Sequence, residues 1–305
     1  METFGTNRRF MVPFLIVSLI WGSTWLATKV GVQVVPPLFF SASRLLVGGA
    51  ILLGLAASQG SMSWPKGRGM WVLSLSFLGI TIPYSLLFWG VLNAPSGLAA
   101  VVNLALMPLA LFTIGLAFGE EGYSHAKATG VAIGIIGLIV LFIPKLMADT
   151  VPPSLWGLGA IAIGTILYCF ISVLSRPLLK QSTPTIISGW FLSFGGILMM
   201  LVSLAVEPVG WHTLALYARI EIFLSWLYLA VGGMVIGFSL YAKLMRDWGP
   251  SRAGLYAFIS PVVAVVLGVV VLSETFGTYE IVGSLIMFGA AALVIRPPQL
   301  KGETS

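Results

Sequence analysis

Two short runs of aromatic, hydroxyl and cationic side chains stand out in a chain that is otherwise largely apolar. In the first run Trp21, Trp25 and Lys29 follow one another at intervals of four residues, so they share one face of a helix. The second run repeats this order 147 residues later, as Tyr168, Ser172 and Arg176. Rings, hydroxyl groups and a cation can bind a small amphipathic solute. We predict that the first run and Tyr168 contact a substrate, with packing between helices as the alternative.

A second pair of matching segments indicates that the two halves of the chain are copies of each other. Pro108 and Glu121 are thirteen residues apart, and so are Pro261 and Glu274, which lie 153 residues further along the chain. A glycine follows each glutamate at the same distance, as Gly130 and Gly283. The shared prolines and glutamates are predicted to have structural or gating roles, because both glutamates fall at helix ends, where capping explains them.

Polar side chains within these matching segments are further candidates for substrate contacts. Asn103 and Tyr256 occupy the same position, five residues before the proline of each copy. An amide or a phenol in hydrocarbon needs hydrogen-bond partners, so both should face the interior of the helix bundle. Ser260, four residues after Tyr256, is a further candidate contact, and Tyr84 and Trp89 in the third apolar stretch are candidate walls of an aromatic cavity. For each aromatic residue, ordinary packing or a place in the interfacial belt is the alternative.

The composition is that of a membrane protein with many spans. Of all residues 58% are hydrophobic and only 9% are charged, and the mean hydropathy is +1.02. A bilayer core of about 30 Å needs about 20 apolar residues per helix, and stretches of that length recur along the whole chain. They predict an all-α membrane protein of ten transmembrane helices, near residues 11–31, 36–57, 70–91, 97–118, 127–144, 154–175, 184–206, 222–243, 252–272 and 279–296.

Ten spans divide into a first repeat of five over residues 1–148 and a second over residues 149–305. Because five is odd, the second repeat must cross the membrane in the opposite direction, so the repeats are predicted to be inverted. Transporters built in this way hold their substrate between the repeats, near the middle of the bilayer. Lys and Arg are concentrated in the segments on the side of the amino terminus, which predicts that both termini are cytoplasmic.

Two cations, Lys29 and Arg44, fall within the predicted spans. Placing a cation at the centre of a bilayer costs about 2.5 to 3.5 kcal/mol, so its presence there calls for a reason. Lys29 lies near a helix end, where it either anchors at the interface or attracts a carboxylate. Arg44, together with Arg176, is predicted to have a structural or gating role. For Arg44 this means hydrogen bonding to carbonyl groups where helices bend, with direct substrate binding as the alternative.

The sequence lacks the chemistry of an enzyme. It contains no HExxH pair, no nucleotide-binding loop and no pair of intramembrane aspartates, and its two histidines lie in predicted loops. We therefore expect no catalytic residue, no metal site and no cofactor. No basic run has the density and the aromatic interleaving of a nucleic-acid site. No carboxylate falls near the middle of a span, which argues against the usual carboxylate proton relay. Coupling through a helix-end acid or through the ionisation of the substrate, and facilitated transport, both stay open.

The chain resembles the drug/metabolite transporter superfamily, specifically its EamA-type ten-helix members, over about residues 13–295. The motifs that carry the resemblance are Trp21-Gly22-Ser23, Lys29, Pro37, Arg44 and the repeated spacing from proline to glutamate. It departs from a full repeat at Phe191, where a counterpart of Arg44 is missing. The resemblance implies a central cavity lined mainly by helices 1, 3, 4, 6, 8 and 9, with helices 5 and 10 at the periphery. Similar members export amino acids and related metabolites, and one type exports aromatic amino acids.

We therefore expect a secondary transporter that exports amino acids or related small metabolites by alternating access through a central cavity. A membrane channel or a receptor-like multispan protein for a small metabolite is the alternative. The expected partners are the small-molecule substrate and the lipid bilayer, with no nucleic acid. A monomer is expected, with a dimer as the alternative, in the inner membrane of a bacterium.

Overall fold

The fold is taken from a computed structural model, which describes residues 2–64, 67–94, 96–148, 154–272 and 277–295. Every regular element in these ranges is a helix. The first five long helices are α1 (Glu2–Val32), α2 (Pro37–Ser58), α3 (Gly69–Leu92), α4 (Ser96–Ala117) and α5 (His125–Ala148). The second five are α6 (Leu155–Gln181), α7 (Pro184–Val206), α8 (Ile220–Asp247), α9 (Pro250–Gly254 continuing as Tyr256–Leu272) and α10 (Thr278–Ile295).

Within the described ranges, 9 helices, α2 to α10, are long and apolar enough to cross a membrane. The apolar part of α1, Arg9–Thr24, is shorter than a full span. The prediction of an all-helical membrane protein with many spans is thus confirmed, and most helix ends fall within a few residues of their predicted places. The tenth span, in α1, and the inversion of the repeats stay predictions.

Two helices widen near their middle, which the sequence reasoning did not anticipate. α3 contains a π-helical turn at Phe77–Thr81, and α8 contains one at Leu229–Phe238. In α3 the reason is Pro83, which has no amide hydrogen, so the carbonyl group of Gly79 lacks its ordinary helical donor. π-Helical turns are frequent at functional sites. Because α3 and α8 are the third helices of their halves, both halves carry the same local distortion. A short helix at Trp211–Ala215, also not anticipated, precedes α8.

The helices pack in pairs that repeat between the two halves. α2 lies along α7, and α5 lies along α10. α1 packs against α9 as α6 packs against α4, and α1 contacts α8 as α6 contacts α3. Exchanging every helix for the one five places away in the chain leaves this set of pairs unchanged. The largest apolar core joins buried side chains of α1 and of α3 to α10, so helices of both halves build the centre together.

Glycines let the backbones of α2 and α7 touch. A Cβ atom on Gly49 of α2 would lie 2.7 Å from the amide nitrogen of Ser193 in α7. A Cβ atom on Gly196 of α7 would lie 3.0 Å from the amide nitrogen of Leu46 in α2. Gly49 and Gly196 are the second members of Gly-Gly pairs that stand 147 residues apart, at the offset that relates the first two runs. The repeated Gly-Gly pair is therefore a sequence signal for the contact between α2 and α7.

α5 and α10 meet through the glycines that the two halves share. A Cβ atom on Gly283 of α10 would lie 2.7 Å from the carbonyl oxygen of Gly137 in α5. A Cβ atom on Gly130 of α5 would lie 3.1 Å from the carbonyl oxygen of Ala290 in α10. Contacts of this kind through small residues are a main source of helix association in lipid. The spacing that marked these glycines in the sequence therefore has a packing role.

The contact between α2 and α7 can be tested with a single methyl group. Gly49→Ala should lower the apparent melting temperature of the purified protein by about 2 to 10 °C, because overpacking costs about 1 to 3 kcal/mol. Gly54→Ala in the same helix is the control, since a Cβ atom there has no neighbour within 4 Å. This control should leave the melting temperature unchanged or raise it, because alanine favours a helix. Equal melting temperatures for the two variants would contradict the proposed backbone contact.

Candidate functional site

Four aromatic side chains from four helices meet inside the bundle, and we call Trp21, Tyr168, Tyr241 and Tyr256 the aromatic cluster. The ring of Trp21 in α1 lies 4.4 Å from that of Tyr256 in α9 and 5.1 Å from that of Tyr241 in α8, measured between centroids. Tyr168 of α6 stacks on Tyr241 at 6.2 Å. Rings at these distances attract each other through their edges and faces. Both halves of the chain contribute to the cluster, since Trp21 comes from the first half and the three tyrosines from the second.

A small cavity lies beside the aromatic cluster, between α3, α6, α7 and α8. Both π-helical turns border it, through Gly79 and Ile80 of α3 and Phe238 of α8. α7 contributes Ser188 and Phe191, although the family resemblance did not place helix 7 at the cavity. The two unexpected widenings of the helices therefore lie at the cavity wall.

The cavity is small and its wall is partly polar. Its volume of about 30 Å³ is room for about two water molecules. Tyr168 and Tyr241 form part of the wall, and hydroxyl groups come from Ser172, Ser175 and Ser188. A wall that combines rings and hydroxyl groups suits a small solute with an apolar side and a polar side.

Two polar atoms of this wall are buried without a full hydrogen bond. The hydroxyl groups of Ser188 and Tyr241 have no partner with hydrogen-bond geometry in the part of the chain that the structure describes. The hydroxyl groups of Ser172 and Tyr168 lie close to that of Tyr241 and can share weak hydrogen bonds with it, although not in a favourable geometry. Burying a polar group without a partner costs about 1 to 3 kcal/mol. Both hydroxyl groups therefore favour an occupant of the cavity that can exchange hydrogen bonds with them.

Of the other residues predicted to contact a substrate, two form hydrogen bonds between helices and one lies partly at the surface. Asn103 of α4 is buried and donates a hydrogen bond to Oγ1 of Thr165 in α6 at 2.8 Å. Ser260 of α9 donates to the main-chain carbonyl oxygen of Ser18 in α1 at 3.2 Å. Both side chains thus connect helices of different halves. Trp89 of α3 lies away from the aromatic cluster, with 50% of its surface exposed.

Each of the two repeated prolines directly follows a residue that forms a hydrogen bond with a neighbouring helix. Pro108 is inside α4, and the sulfur atom of the preceding Met107 accepts a hydrogen bond from the Tyr256 hydroxyl group at 2.6 Å. Pro261 is inside α9, directly after Ser260. Three other predicted positions, the side chains of Trp25 and Lys29 and the whole of Glu274, lie outside the described residues.

An ionic network of Glu120, Glu121, Lys127, Arg176 and Lys180 closes one end of the bundle. Arg176 of α6 donates hydrogen bonds to Oε2 of Glu120 at 2.7 Å and to the main-chain carbonyl oxygen of Met245 in α8 at 2.6 Å. Lys180 donates to the same Glu120 oxygen at 2.8 Å. Met245 also lines the cavity. The network therefore joins the ends of α4, α6 and α8 directly beside the cavity.

Glu121 extends the ionic network to α9. Its carboxylate forms an ion pair with Lys127 of α5 and accepts a hydrogen bond from the main-chain amide of Ser251 in α9 at 2.9 Å. A carboxylate at the amino end of a helix satisfies free amide groups and is attracted by the helix dipole. Gly249, which precedes α9, has a φ of 98°, a left-handed conformation that favours glycine. The glutamate that follows α4 thus caps a helix of the other half.

Glu207 has the same role at the opposite end of the bundle. It follows α7 and accepts hydrogen bonds from the main-chain amides of Leu38 and Phe39 in the first turn of α2, both at 2.8 Å. Ser203 donates a third hydrogen bond to it at 2.7 Å. No sequence signal predicted this cap, because Glu207 and α2 are about 170 residues apart and no local motif relates them.

Arg44 of α2 is a buried cation that pairs with no carboxylate in the described part of the chain. Its side chain is 5% exposed and donates one hydrogen bond, from Nη2 to Oγ of Ser41 at 3.2 Å. Its Nε is buried without a partner among the described residues. The hydroxyl groups of Tyr84 and Tyr217 lie within its electrostatic reach. Burial raises the pKa of Tyr217, so this phenol stays protonated at neutral pH and shares a hydrogen bond with Ser43.

A bundle of apolar membrane helices around a small, partly polar cavity is the architecture of a membrane transporter. The model of the EamA-like transporter family matches residues 10–143 and again residues 155–296. The chain therefore belongs to the EamA-like transporter family, as its motifs predicted. The double match agrees with the duplication that the repeated spacings indicated.

Several known proteins are similar to the chain over most of its length. The uncharacterized inner membrane transporter YedA of Escherichia coli K12 is 29% identical over 283 residues, which cover 90% of this chain and 87% of that protein. Protein PagO of Salmonella typhimurium is 26% identical over 265 residues, covering 84% and 83%. A WAT1-related chloroplastic protein of Arabidopsis thaliana is 25% identical over 307 residues, covering 96% and 71%. One solved crystal structure has the same fold, with a TM-score of 0.79 at 21% identity over 94% of this chain and 96% of the other.

The hydroxyl group of Tyr241, which has no partner of good hydrogen-bond geometry among the described residues, leads to a stability prediction. Tyr241→Phe should leave the apparent melting temperature unchanged or raise it, because the variant no longer buries a polar group at a cost of about 1 to 3 kcal/mol. Tyr217→Phe is the control and should lower the melting temperature, since the Tyr217 hydroxyl group shares a hydrogen bond with Ser43. A similar loss of stability in both variants would mean that the Tyr241 hydroxyl group is paired after all.

Proposed function

We propose that this protein is a secondary transporter that exports amino acids or related small metabolites across the inner membrane of a bacterium. The observation that carries the proposal is the partly polar cavity beside the aromatic cluster, inside a transporter of this family. Rings match an apolar side chain, and the hydroxyl groups of the wall match the polar groups of an amino acid. The proposed working unit is the monomer, since the cavity lies within one chain, and a dimer is the alternative.

The proposed architecture has ten spans in two inverted five-helix repeats, over residues 1–148 and 149–305. The pairing of the helices supports it, because the contacts α1–α9 and α4–α6 exchange when the halves are exchanged, as do α1–α8 and α3–α6. Such exchange is expected when a twofold axis relates the halves. With an odd number of spans in each half, that axis lies in the plane of the membrane and places the substrate near the middle of the bilayer.

Both termini are proposed to be cytoplasmic. The basic residues Lys127, Arg176, Lys180 and Arg246 gather at the end of the bundle that the ionic network closes. Cytoplasmic segments are enriched in Lys and Arg, which favours this end as the cytoplasmic one. In this orientation the ionic network separates the cavity from the cytoplasm.

Alternating access is the proposed mechanism. The cavity is too small for an amino acid in the present conformation, so loading from the cytoplasm requires that the ends of α4, α6 and α8 separate. The bonds of Arg176 to Glu120 and to Met245 hold these ends together. A substrate that binds the open conformation more tightly would shift the population towards it. The π-helical turns of α3 and α8 border the cavity and are proposed as the places where these helices bend.

Counterflow separates a carrier from the alternative of a channel or receptor-like protein. Proteoliposomes with the purified protein are loaded with unlabelled phenylalanine and diluted into a trace of labelled phenylalanine. A carrier should accumulate label transiently and show saturation, because each cycle exchanges one bound solute for another. Flux without saturation and without counterflow would support a channel. A panel of amino acids in the same assay, together with growth tests on toxic analogues, identifies the substrate.

Weakening the ionic network should open the cytoplasmic side. Glu120→Gln removes the carboxylate that binds Arg176 and Lys180, and charge-assisted hydrogen bonds of this kind contribute about 1.5 to 3 kcal/mol. In a Cys169→Ala background, a cysteine at Ser175 should then react about tenfold faster with an aqueous maleimide from the cytoplasmic side.

Asp247→Asn is the matched control for this labelling experiment. It removes an ion pair with Arg246 at the same end of the bundle, and this pair does not touch the cavity wall. Its labelling rate should equal that of the parent. An equal rate in Glu120→Gln and in the parent would show that the ionic network does not limit access.

A further inference from the structure

The two buried arginines of the bundle differ in how their charge is balanced. Arg176 is 9% exposed and binds the carboxylate of Glu120. Arg44 is 5% exposed, and in the described part of the chain its only hydrogen bond goes to the uncharged hydroxyl group of Ser41. A buried cation without a counter-ion is strongly unfavourable, so it is retained where an anion or a functional constraint compensates.

Among the described residues the guanidinium group of Arg44 donates one hydrogen bond and has a buried Nε without a partner. An arginine side chain offers five N–H donors in a rigid planar fork, and Nη2 of Arg44 uses one of them for Ser41. Such a fork matches the two oxygen atoms of a carboxylate, which it binds through parallel hydrogen bonds.

Tyr84 and Trp21 of the aromatic cluster pack against the same apolar core, which includes Ala42 and Leu45 on either side of Arg44. The phenol of Tyr84 lies within electrostatic reach of Arg44 on one side. On the other side it lies within reach of Tyr168, Tyr241 and Tyr256. A solute that places an acidic group at Arg44 therefore has rings within its reach.

We propose that Arg44 binds the carboxylate group of the transported solute, with Ser41 and Tyr84 beside it and the apolar part of the solute against the aromatic cluster. The inference deepens the proposed function, because it assigns the substrate to anionic or zwitterionic carboxylates and excludes neutral metabolites. The uncompensated charge of Arg44 in the described structure is then the empty half of an ion pair that the substrate completes.

A thermal-shift experiment on the purified full-length protein tests the anion site without transport. Benzoate is compared with benzamide, which has the same ring and a similar shape but no charge. At about ten times its dissociation constant, benzoate should raise the apparent melting temperature by about 3 °C, whereas benzamide should have a clearly smaller effect. No shift with benzoate, an equal shift with benzamide, or a shift with inorganic phosphate but none with benzoate would overturn the proposal.

Three variants assign the shift to Arg44. The benzoate shift should disappear in Arg44→Gln and persist in Arg219→Gln, which removes an exposed cation close to Tyr217 in the chain. Arg44→Lys keeps the charge and loses the planar fork, so its benzoate shift should fall by about half or more. If Arg44→Gln does not fold, Arg44→Lys decides. A full benzoate shift in either Arg44 variant would refute the assignment.

Transport and anion binding can fail separately in these experiments. Counterflow of phenylalanine and of its neutral amide is measured in proteoliposomes of the wild-type protein. If neither is transported while the benzoate shift depends on Arg44, the amino acid is the wrong substrate and the carboxylate site stands. If both are transported equally well and benzoate gives no shift, the carrier stands and the carboxylate site is refuted.

Discussion

Close backbone contact between matching helices is the constraint on which the rest of this structure depends. Between helices in lipid there is little hydrophobic driving force, because lipid tails are as apolar as the side chains, so association relies on tight packing and on hydrogen bonds. Gly49 and Gly196 provide that packing between α2 and α7, as Gly130 and Gly283 do between α5 and α10. With these two pairs in place, α1, α4, α6, α8 and α9 enclose the aromatic cluster.

Several charged side chains of the described residues hold the bundle together, whereas Arg44 lacks a charged partner there. Glu121 caps α9 and Glu207 caps α2, so at each end of the bundle an acid from one half satisfies the backbone of the other. Arg176 is satisfied by Glu120 and by main-chain carbonyl groups. Arg44 is equally buried and has only a serine hydroxyl group as its partner in the described structure. In the proposed transport cycle, closure and recognition therefore depend on different cations.

Much of the fold could be predicted because its signals are local. Apolar stretches of span length, interrupted by prolines and glycines, gave nine helices close to their observed places, and the repeated spacings indicated the duplication that the double family match supports. The π-helical turns were not predicted, because a widened turn depends on which carbonyl groups lose their donors and on whether the neighbouring helices leave room for it. The capping role of Glu207 was missed because α2 is remote in the sequence. For Trp89, an aromatic residue in the predicted third helix, helical periodicity alone did not reveal that its side chain is half exposed.

The sequence by itself determined that this chain is a duplicated, all-helical membrane protein of a transporter family, because length, hydropathy and motif spacing are properties of contiguous residues. Only the tertiary structure decided which polar side chains meet. Asn103 pairs with Thr165, 62 residues away, whereas Trp21 meets Tyr241 and Tyr256. The physical reason is that periodicity defines a helix face but not the rotation of that face towards its neighbours. Packing between helices sets that rotation. As a result Arg176 pairs with a carboxylate, whereas among the described residues Arg44 pairs only with a serine hydroxyl group.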